Sequence, residues 1–128
     1  MDEDKKIYTI RLAEALPDIK GALRILEYEF ATAAALGERI VKVYHGSGAT
    51  VRGGTKLRGE VRHWGKIDSR VGFVVNGEKF ASDNMQTRYL LEMYPFVQKD
   101  EDLDKGNAEI TLFFINRRRR KKKSALSE

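Results

Sequence analysis

A glycine-rich loop between a short apolar strand and a helix is the feature that most constrains this chain. The apolar segment Ile40–Tyr44 runs directly into His45–Gly54, which contains four glycines, and a helical pattern begins at about Thr55. Glycine lets the backbone approach a ligand closely and adopt positive φ, and the N–H groups at a helix start attract anions. The pattern therefore predicts an anion site, although the Walker GxxxxGK[ST] spacing is absent. The alternative is that the glycines serve a tight turn alone.

Length and composition predict one folded, highly charged domain. The chain has 128 residues, of which 41% are hydrophobic and 34% charged, a size that can bury a substantial core. It has no cysteine, so disulfides and thiolate metal sites are excluded. The acidic N-terminus lacks a signal-peptide core, and no apolar run approaches the ~20 residues of a membrane span. We expect a cytoplasmic protein with residues 1–6 flexible.

The basic charge is concentrated in two places. Residues 117–123 hold 7 of the 24 basic residues, and residues 1–116 hold the remaining 17 against 18 acidic ones, a net charge of −1. Within that body, the segment 45–75 has six basic and two acidic residues and both histidines. We expect residues 117–128 to form a disordered basic tail that attracts nucleic-acid phosphates. No amphipathic helix or lipidation motif adjoins it, so membrane binding is not expected; a solubility tail is the alternative.

Hydrophobic spacing predicts the element order β-α-β-α-β-α-β. Strands are predicted at 7–12, 40–44, 71–80 (with a turn at Asn76-Gly77) and 107–115. Helices are predicted from Pro17 to a stop at Gly37, from 55 to about Gly65, and from 85 to 93 after a capping box at Asp83. The first strand–helix–strand unit favours parallel pairing through a right-handed crossover.

Several of these segments together resemble the Smr (small MutS-related) domain. The strand and loop VKVYHGSG, the continuation Arg52-Gly53-Gly54 and the closing strand NAEITLFFI carry the resemblance. Further landmarks are 16–23, Gly77–Phe80, 87–91 and 102–103, which suggest a branch with an extended HGxG loop. The resemblance covers about residues 7–115. It implies a two-layer α/β sandwich with a four-stranded mixed sheet, like the C-terminal domain of a bacterial translation initiation factor, over residues 7–116.

The resemblance also implies nucleic-acid binding and, in some members, endonuclease activity on DNA or RNA. Members that cut carry an LDLHG-type motif on the first strand, where this chain reads Ile10-Arg11-Leu12-Ala13-Glu14. Arg11 replaces the aspartate and Ala13 replaces the histidine, and neither can supply acid–base chemistry. We therefore expect binding rather than catalysis. If the protein were a nuclease, His45 would be the catalytic residue, with Asp68, Asp83 or a bound Mg²⁺ or Mn²⁺.

We predict a nucleic-acid-binding domain of little sequence specificity that acts on DNA or RNA, as a monomer without a cofactor. A nuclease is one alternative, and a protein-interaction module for a repair or ribosome-associated partner is another. The candidate contacts are His45, Gly46, Ser47, Gly48, Arg52, Gly53, Gly54, Lys56, Arg58, Arg62, Arg117, Arg118, Arg119, Arg120, Lys121, Lys122 and Lys123.

Four features of the sequence have simpler structural interpretations. His45 could fix the turn by a hydrogen bond to a loop carbonyl. Arg58, Arg62 and Lys66 could form a solvated helix face. His63 is expected on the helix surface, and the acidic segment 100–104, which lacks EF-hand spacing, is expected to be a solvated loop.

Overall fold

The computed structural model describes residues 5–13, 18–46 and 54–116. The helices and strands follow the predicted order: β1 Tyr8–Arg11, α1 Ile19–Ala35, β2 Ile40–Tyr44, α2 Gly54–Ile67, β3 Val71–Asn76, α3 Met85–Met93 and β4 Ile110–Ile115. Two short 3-10 helices, Gly77–Lys79 and Pro95–Lys99, flank α3. The predicted contacts Ser47, Gly48, Arg52 and Gly53, the helix-start signal at Pro17 and the basic tail 117–128 lie outside the described residues.

The four strands form one mixed sheet in the order β1-β2-β4-β3. β1 and β2 are parallel, with Thr9 opposite Lys42, which confirms the predicted parallel pairing. β4 pairs antiparallel with β2 on one side and with β3 on the other. The last strand in sequence is therefore a central strand. This position explains why all six of its residues are buried.

The helices α1 and α2 cover one face of the sheet. The Phe113 ring of β4 packs against Phe30 of α1 and Trp64 of α2, with ring centroids 6.1 and 5.6 Å away, and the Phe30 and Trp64 rings also contact each other at 5.1 Å. A Cβ on Gly65 would lie 2.9 Å from two carbons of the Phe113 ring and closer still to Cε1. Gly65 does not end the helix itself: α2 continues to Ile67, two residues beyond the predicted end at about Gly65. Position 65 requires glycine because the helix backbone packs directly on the Phe113 ring.

The opposite face is covered over β4 and β3 by α3 and the second 3-10 helix. Leu112 and Phe114 of β4 pack there with Phe80, Leu90 and Val97. The residue that caps α3 is Asn84, whose Oδ1 accepts a hydrogen bond of 2.9 Å from Thr87 N, and not Asp83 as the capping-box pattern suggested.

The Asn76-Gly77 signal marks a 3-10 helix and not a hairpin turn. A Cβ on Gly77 would collide with the Asn107 carbonyl and lie 2.7 Å from the Ile110 carbonyl oxygen. The glycine is therefore needed for a close approach of two backbones.

A buried ion cluster fixes the acidic segment over this second face. The ammonium of Lys42, in the middle of β2, lies 2.8 Å from Asp100 Oδ1 and 2.6 Å from Asp102 Oδ2. Burial acts to lower the pKa of Lys42, but the two carboxylates outweigh it and raise the pKa above its usual value. The prediction of a solvated loop is wrong for Asp100 and Asp102, whose side chains are 10% and 15% exposed. They serve as counter-charges for a lysine in the sheet.

Candidate nucleic-acid interface

The end of β2 and the start of α2 hold the two ends of the glycine-rich loop. The amides of His45 and Gly46 both donate to the Glu109 carbonyl, at 3.0 and 3.2 Å. Gly46 has φ of +81°, a conformation that L side chains disfavour. Gly46 thus uses the positive φ that the glycine pattern indicated, and the described chain resumes at Gly54 in α2.

The His45 side chain is fully buried. Its Nδ1 lies 2.9 Å from the Gly46 carbonyl, and its Nε2 lies 2.8 Å from Thr111 Oγ1. The same hydroxyl accepts a 2.6 Å hydrogen bond from Arg62 Nε, a group that can only donate. The hydroxyl proton of Thr111 is then directed at Nε2, which leaves the imidazole proton on Nδ1. His45 is thus the neutral Nδ1–H tautomer, and it donates to the carbonyl that follows it.

The electrostatic surroundings agree with this tautomer. The pKa of His45 is lowered to about 4, mainly by burial; the Gly46 hydrogen bond opposes the shift, and the positive charges of Arg62 and Arg58 add to it. A buried imidazole with both nitrogens engaged orients the turn and does not face solvent. The geometry thus favours the turn-fixing alternative for His45 over direct phosphate contact or general acid–base chemistry.

Arg62 is also engaged inside the domain. Its Nη2 donates to Glu78 Oε1 at 2.8 Å and to the Ile110 carbonyl at 3.0 Å, in addition to the bond to Thr111. The Arg62 side chain is 13% exposed. Through these contacts Arg62 joins α2 to β4 and to the first 3-10 helix.

Other cations of α2 lie nearer to solvent. Lys56 is exposed and Arg58 is half-buried, while Leu57 and Val61 face the core as the spacing predicted. His63 is exposed, which confirms its predicted place on the helix surface, and Lys66 is exposed near the helix end. The predicted row of cations spaced by four is therefore divided, with Arg62 turned inward. The outward-facing side of α2 remains basic.

Residues proposed for a nuclease do not converge on His45. The β1 positions of the missing motif do lie at the end of β2, because Arg11 pairs with Tyr44 and Ala13 N donates to the Tyr44 carbonyl. Asp68, in contrast, pairs with Arg70 just before β3, next to the far end of β4 from Thr111. Asp83 is exposed ahead of α3, on the other face of the sheet. Within residues 5–13, 18–46 and 54–116, no three His, Asp or Glu side chains are placed to hold a metal ion.

Sequence patterns did not point to Thr111 or Glu78, which complete the network around His45. Thr111 gave a detectable signal, since it is the single polar residue in the apolar strand ITLFFI. A hydroxyl on the core-facing side of a strand needs a buried partner. The partners of Thr111 could not be predicted from the sequence, because Arg62 lies 49 residues away.

The mixed sheet, the parallel β1–α1–β2 crossover and the turn at the end of β2 together define an Smr-like α/β domain. The crystal structure of the Smr domain of Thermus thermophilus MutS2 superimposes with a TM-score of 0.55 and 17% sequence identity. The match covers 86% of this chain and 99% of that domain, so it establishes the fold over nearly the whole body. No protein-family model and no curated protein matches the sequence. No helix in the described part of the chain is long and apolar enough to cross a bilayer.

Proposed function

We propose that this protein binds DNA or RNA through the phosphate backbone, with little sequence preference. The observation that carries the proposal is the basic, outward-facing side of α2 beside the two ends of the glycine-rich loop, in a domain with an Smr-like fold. Phosphates attract exposed Lys and Arg irrespective of sequence, and their neutralisation releases counterions.

The roles of the predicted residues divide into two groups. Lys56 and Arg58 contact phosphate, together with the loop residues Ser47, Gly48, Arg52, Gly53 and Gly54. His45, Gly46 and Arg62 hold the turn and the helix in place without touching the ligand. The basic residues 117–123 add sequence-independent attraction from a tether, which raises the local concentration of nucleic acid at the domain.

Fluorescence anisotropy of labelled oligonucleotides, titrated with the full chain over a range of salt concentrations, tests the proposal. The slope of log K against log salt is about −0.7 to −0.9 per phosphate contact. Lys56→Ala with Arg58→Ala should weaken binding about tenfold at low salt and flatten the slope by roughly one to two. Arg88→Ala with Lys105→Ala removes the same charge from exposed positions in and after α3 and should change affinity less than about twofold.

A full-length variant with residues 117–123 changed to serine separates the tail from the domain. We expect it to bind more weakly, with a smaller salt slope, and still to respond to the two α2 substitutions. Loss of all binding in that variant would mean that the tail alone carries the affinity. If the unaltered protein binds neither DNA nor RNA at low salt, the proposal is wrong.

A further inference from the structure

An open groove runs along β1 on the sheet face opposite α1. Thr9 and Arg11 form its floor, because alternate residues of β1 point to this face while Tyr8 and Ile10 face α1. Phe96, Lys99 and Glu101 line it from the segment after α3, and Lys5 and Lys6 line it from the segment before β1. The volume is about 350 Å³. α3 and the segment after it cover β4 and β3 but leave this part of the sheet open.

Both lining segments are held by ion pairs. After α3, Lys42 binds Asp100 and Asp102 and so fixes the segment that carries Lys99 and Glu101. Before β1, Lys5 Nζ lies 2.9 Å from Glu38 Oε1 and 5.8 Å from the centre of the Phe96 ring. A groove lined by fixed segments loses little conformational entropy when a ligand enters.

The lining of the groove holds more cations than carboxylates. Its charged residues are Lys5, Lys6, Arg11, Lys42 and Lys99 against Asp100 and Glu101. Of these cations, Lys5 is paired with Glu38, and Lys42 is shared between Asp100 and Asp102. Lys6 and Lys99 are exposed. The half-buried Phe96 adds an apolar surface beside these cations. Cations next to an aromatic ring suit a ligand that combines phosphate with a flat, weakly polar group.

The groove continues toward the glycine-rich loop. A second cavity of about 250 Å³ shares Thr9, Arg11 and Glu101 with the first and extends to Tyr44, the residue before His45. Arg11 lies over the Tyr44 ring, with its Cζ 5.8 Å from the ring centre. One strand of nucleic acid could therefore pass from the end of β2 into the groove without leaving the protein surface.

We propose that this groove binds single-stranded nucleic acid and gives the protein a preference for single strands over duplexes. This inference rests on the proposed function and specifies its ligand. A space of about 350 Å³ is at the lower end of small-ligand sites and admits one nucleotide unit at a time. A duplex keeps its bases paired and stacked, so it cannot place a single nucleotide in a space of this size without unpairing it. Lys6, Arg11 and Lys99 bind the phosphates, and Phe96 contacts the sugar or base.

The test compares a labelled single-stranded oligonucleotide with a hairpin of the same composition, each titrated with the full chain. Lys6→Ala with Lys99→Ala should weaken single-strand binding about tenfold and change hairpin binding less than about twofold. The matched control is Lys20→Ala with Arg24→Ala, which removes the same charge from exposed positions on α1, on the other sheet face. It should leave the ratio of the two affinities unchanged.

Each other outcome overturns the inference in a distinguishable way. If the protein binds both ligands equally and the groove substitutions weaken both alike, the groove adds charge without selectivity, although the proposed function stands. If the substitutions change neither affinity, the groove is not a binding site. If polyglutamate displaces the single strand as readily as an unlabelled oligonucleotide does, the groove recognises charge alone. Failure to bind either nucleic acid overturns the inference and the proposed function together.

Discussion

Two glycines in α2 allow the packing of this helix to be tested with the same substitution at two positions. Apart from the backbone of its own helix, a Cβ on Gly59 would have no atom of the described residues within 4 Å, whereas a Cβ on Gly65 meets the buried Phe113 ring. In a helix interior, alanine is more stable than glycine by about 1 kcal/mol. We therefore expect Gly59→Ala to stabilise the domain by that amount.

Gly65→Ala has the same gain in helix propensity but adds a clash. Phe113 cannot move aside easily, because it is fully buried and packs against the rings of Phe30 and Trp64. Overpacking a filled core costs up to about 3 kcal/mol, so the net loss is about 2 kcal/mol and the two variants differ by about 3 kcal/mol. For a domain of this size, the midpoint temperature should fall by about 8 °C for Gly65→Ala and rise by about 4 °C for Gly59→Ala.

Urea unfolding followed by far-ultraviolet circular dichroism measures both free energies, because the signal does not depend on Trp64, the neighbour of Gly65. The dependence on urea concentration should be the same in all three proteins, which would show that the surface exposed on unfolding is unchanged. If Gly65→Ala is as stable as the unaltered protein, the ring yields and α2 does not lie as close to β4 as described. Equal destabilisation by Gly59→Ala would refute the helix argument as well.

Three further predictions concern buried polar groups. The free energy of unfolding should fall by about 2 kcal/mol between pH 7 and 5, since unfolded His45 binds a proton near pH 6.5 whereas folded His45 binds it only near pH 4. Thr111→Val removes the hydroxyl that links the imidazole to the α2 guanidinium and should cost about 2–4 kcal/mol, because both partners lose a hydrogen bond. Lys42→Met should cost about 2–4 kcal/mol, because Asp100 and Asp102 are left without a counter-charge.

Each of these three predictions has its own control. Urea unfolding measures the free energy of unfolding in every case. In His45→Asn, the free energy of unfolding should no longer depend on pH between pH 7 and 5. If it still falls as steeply in this variant, another group causes the pH dependence. Thr111→Ser keeps the hydroxyl and should retain most of the stability that Thr111→Val loses. Combining Lys42→Met with asparagine at both aspartates should recover part of the loss; no recovery would show that the lysine acts through packing and not through charge.

Periodic burial made the framework of this fold predictable. The apolar residues of α1 recur at helical spacing, which predicts a helix with one buried face. Those of β2 form a short continuous run, which predicts a strand buried on both faces. The expectation that a glycine of this loop adopts positive φ is confirmed at Gly46. These are local properties, which depend on residues close together in sequence.

Properties that depend on distant partners were not predictable in the same way. Arg58 and Arg62 have the same residue type and helical spacing, yet Arg62 alone reaches Thr111 and Glu78. Lys42 interrupts an apolar strand, and its partners are 58 and 60 residues away in sequence. The tertiary fold places acceptor groups next to some cations and not next to others. Those placements decide which cation forms buried hydrogen bonds and which one contacts solvent.

The central position of β4 has a consequence for how the protein is made. β2 and β3 each pair with β4 and not with each other, so neither has its inner neighbour until residues 110–115 have been synthesised. A nascent chain that ends before Ile110 presents two unpaired strand edges and an uncovered apolar face, which are the features that lead to aggregation. Folding of the sheet must therefore wait for its last strand, and a shortened chain lacking it should depend on chaperones to remain soluble.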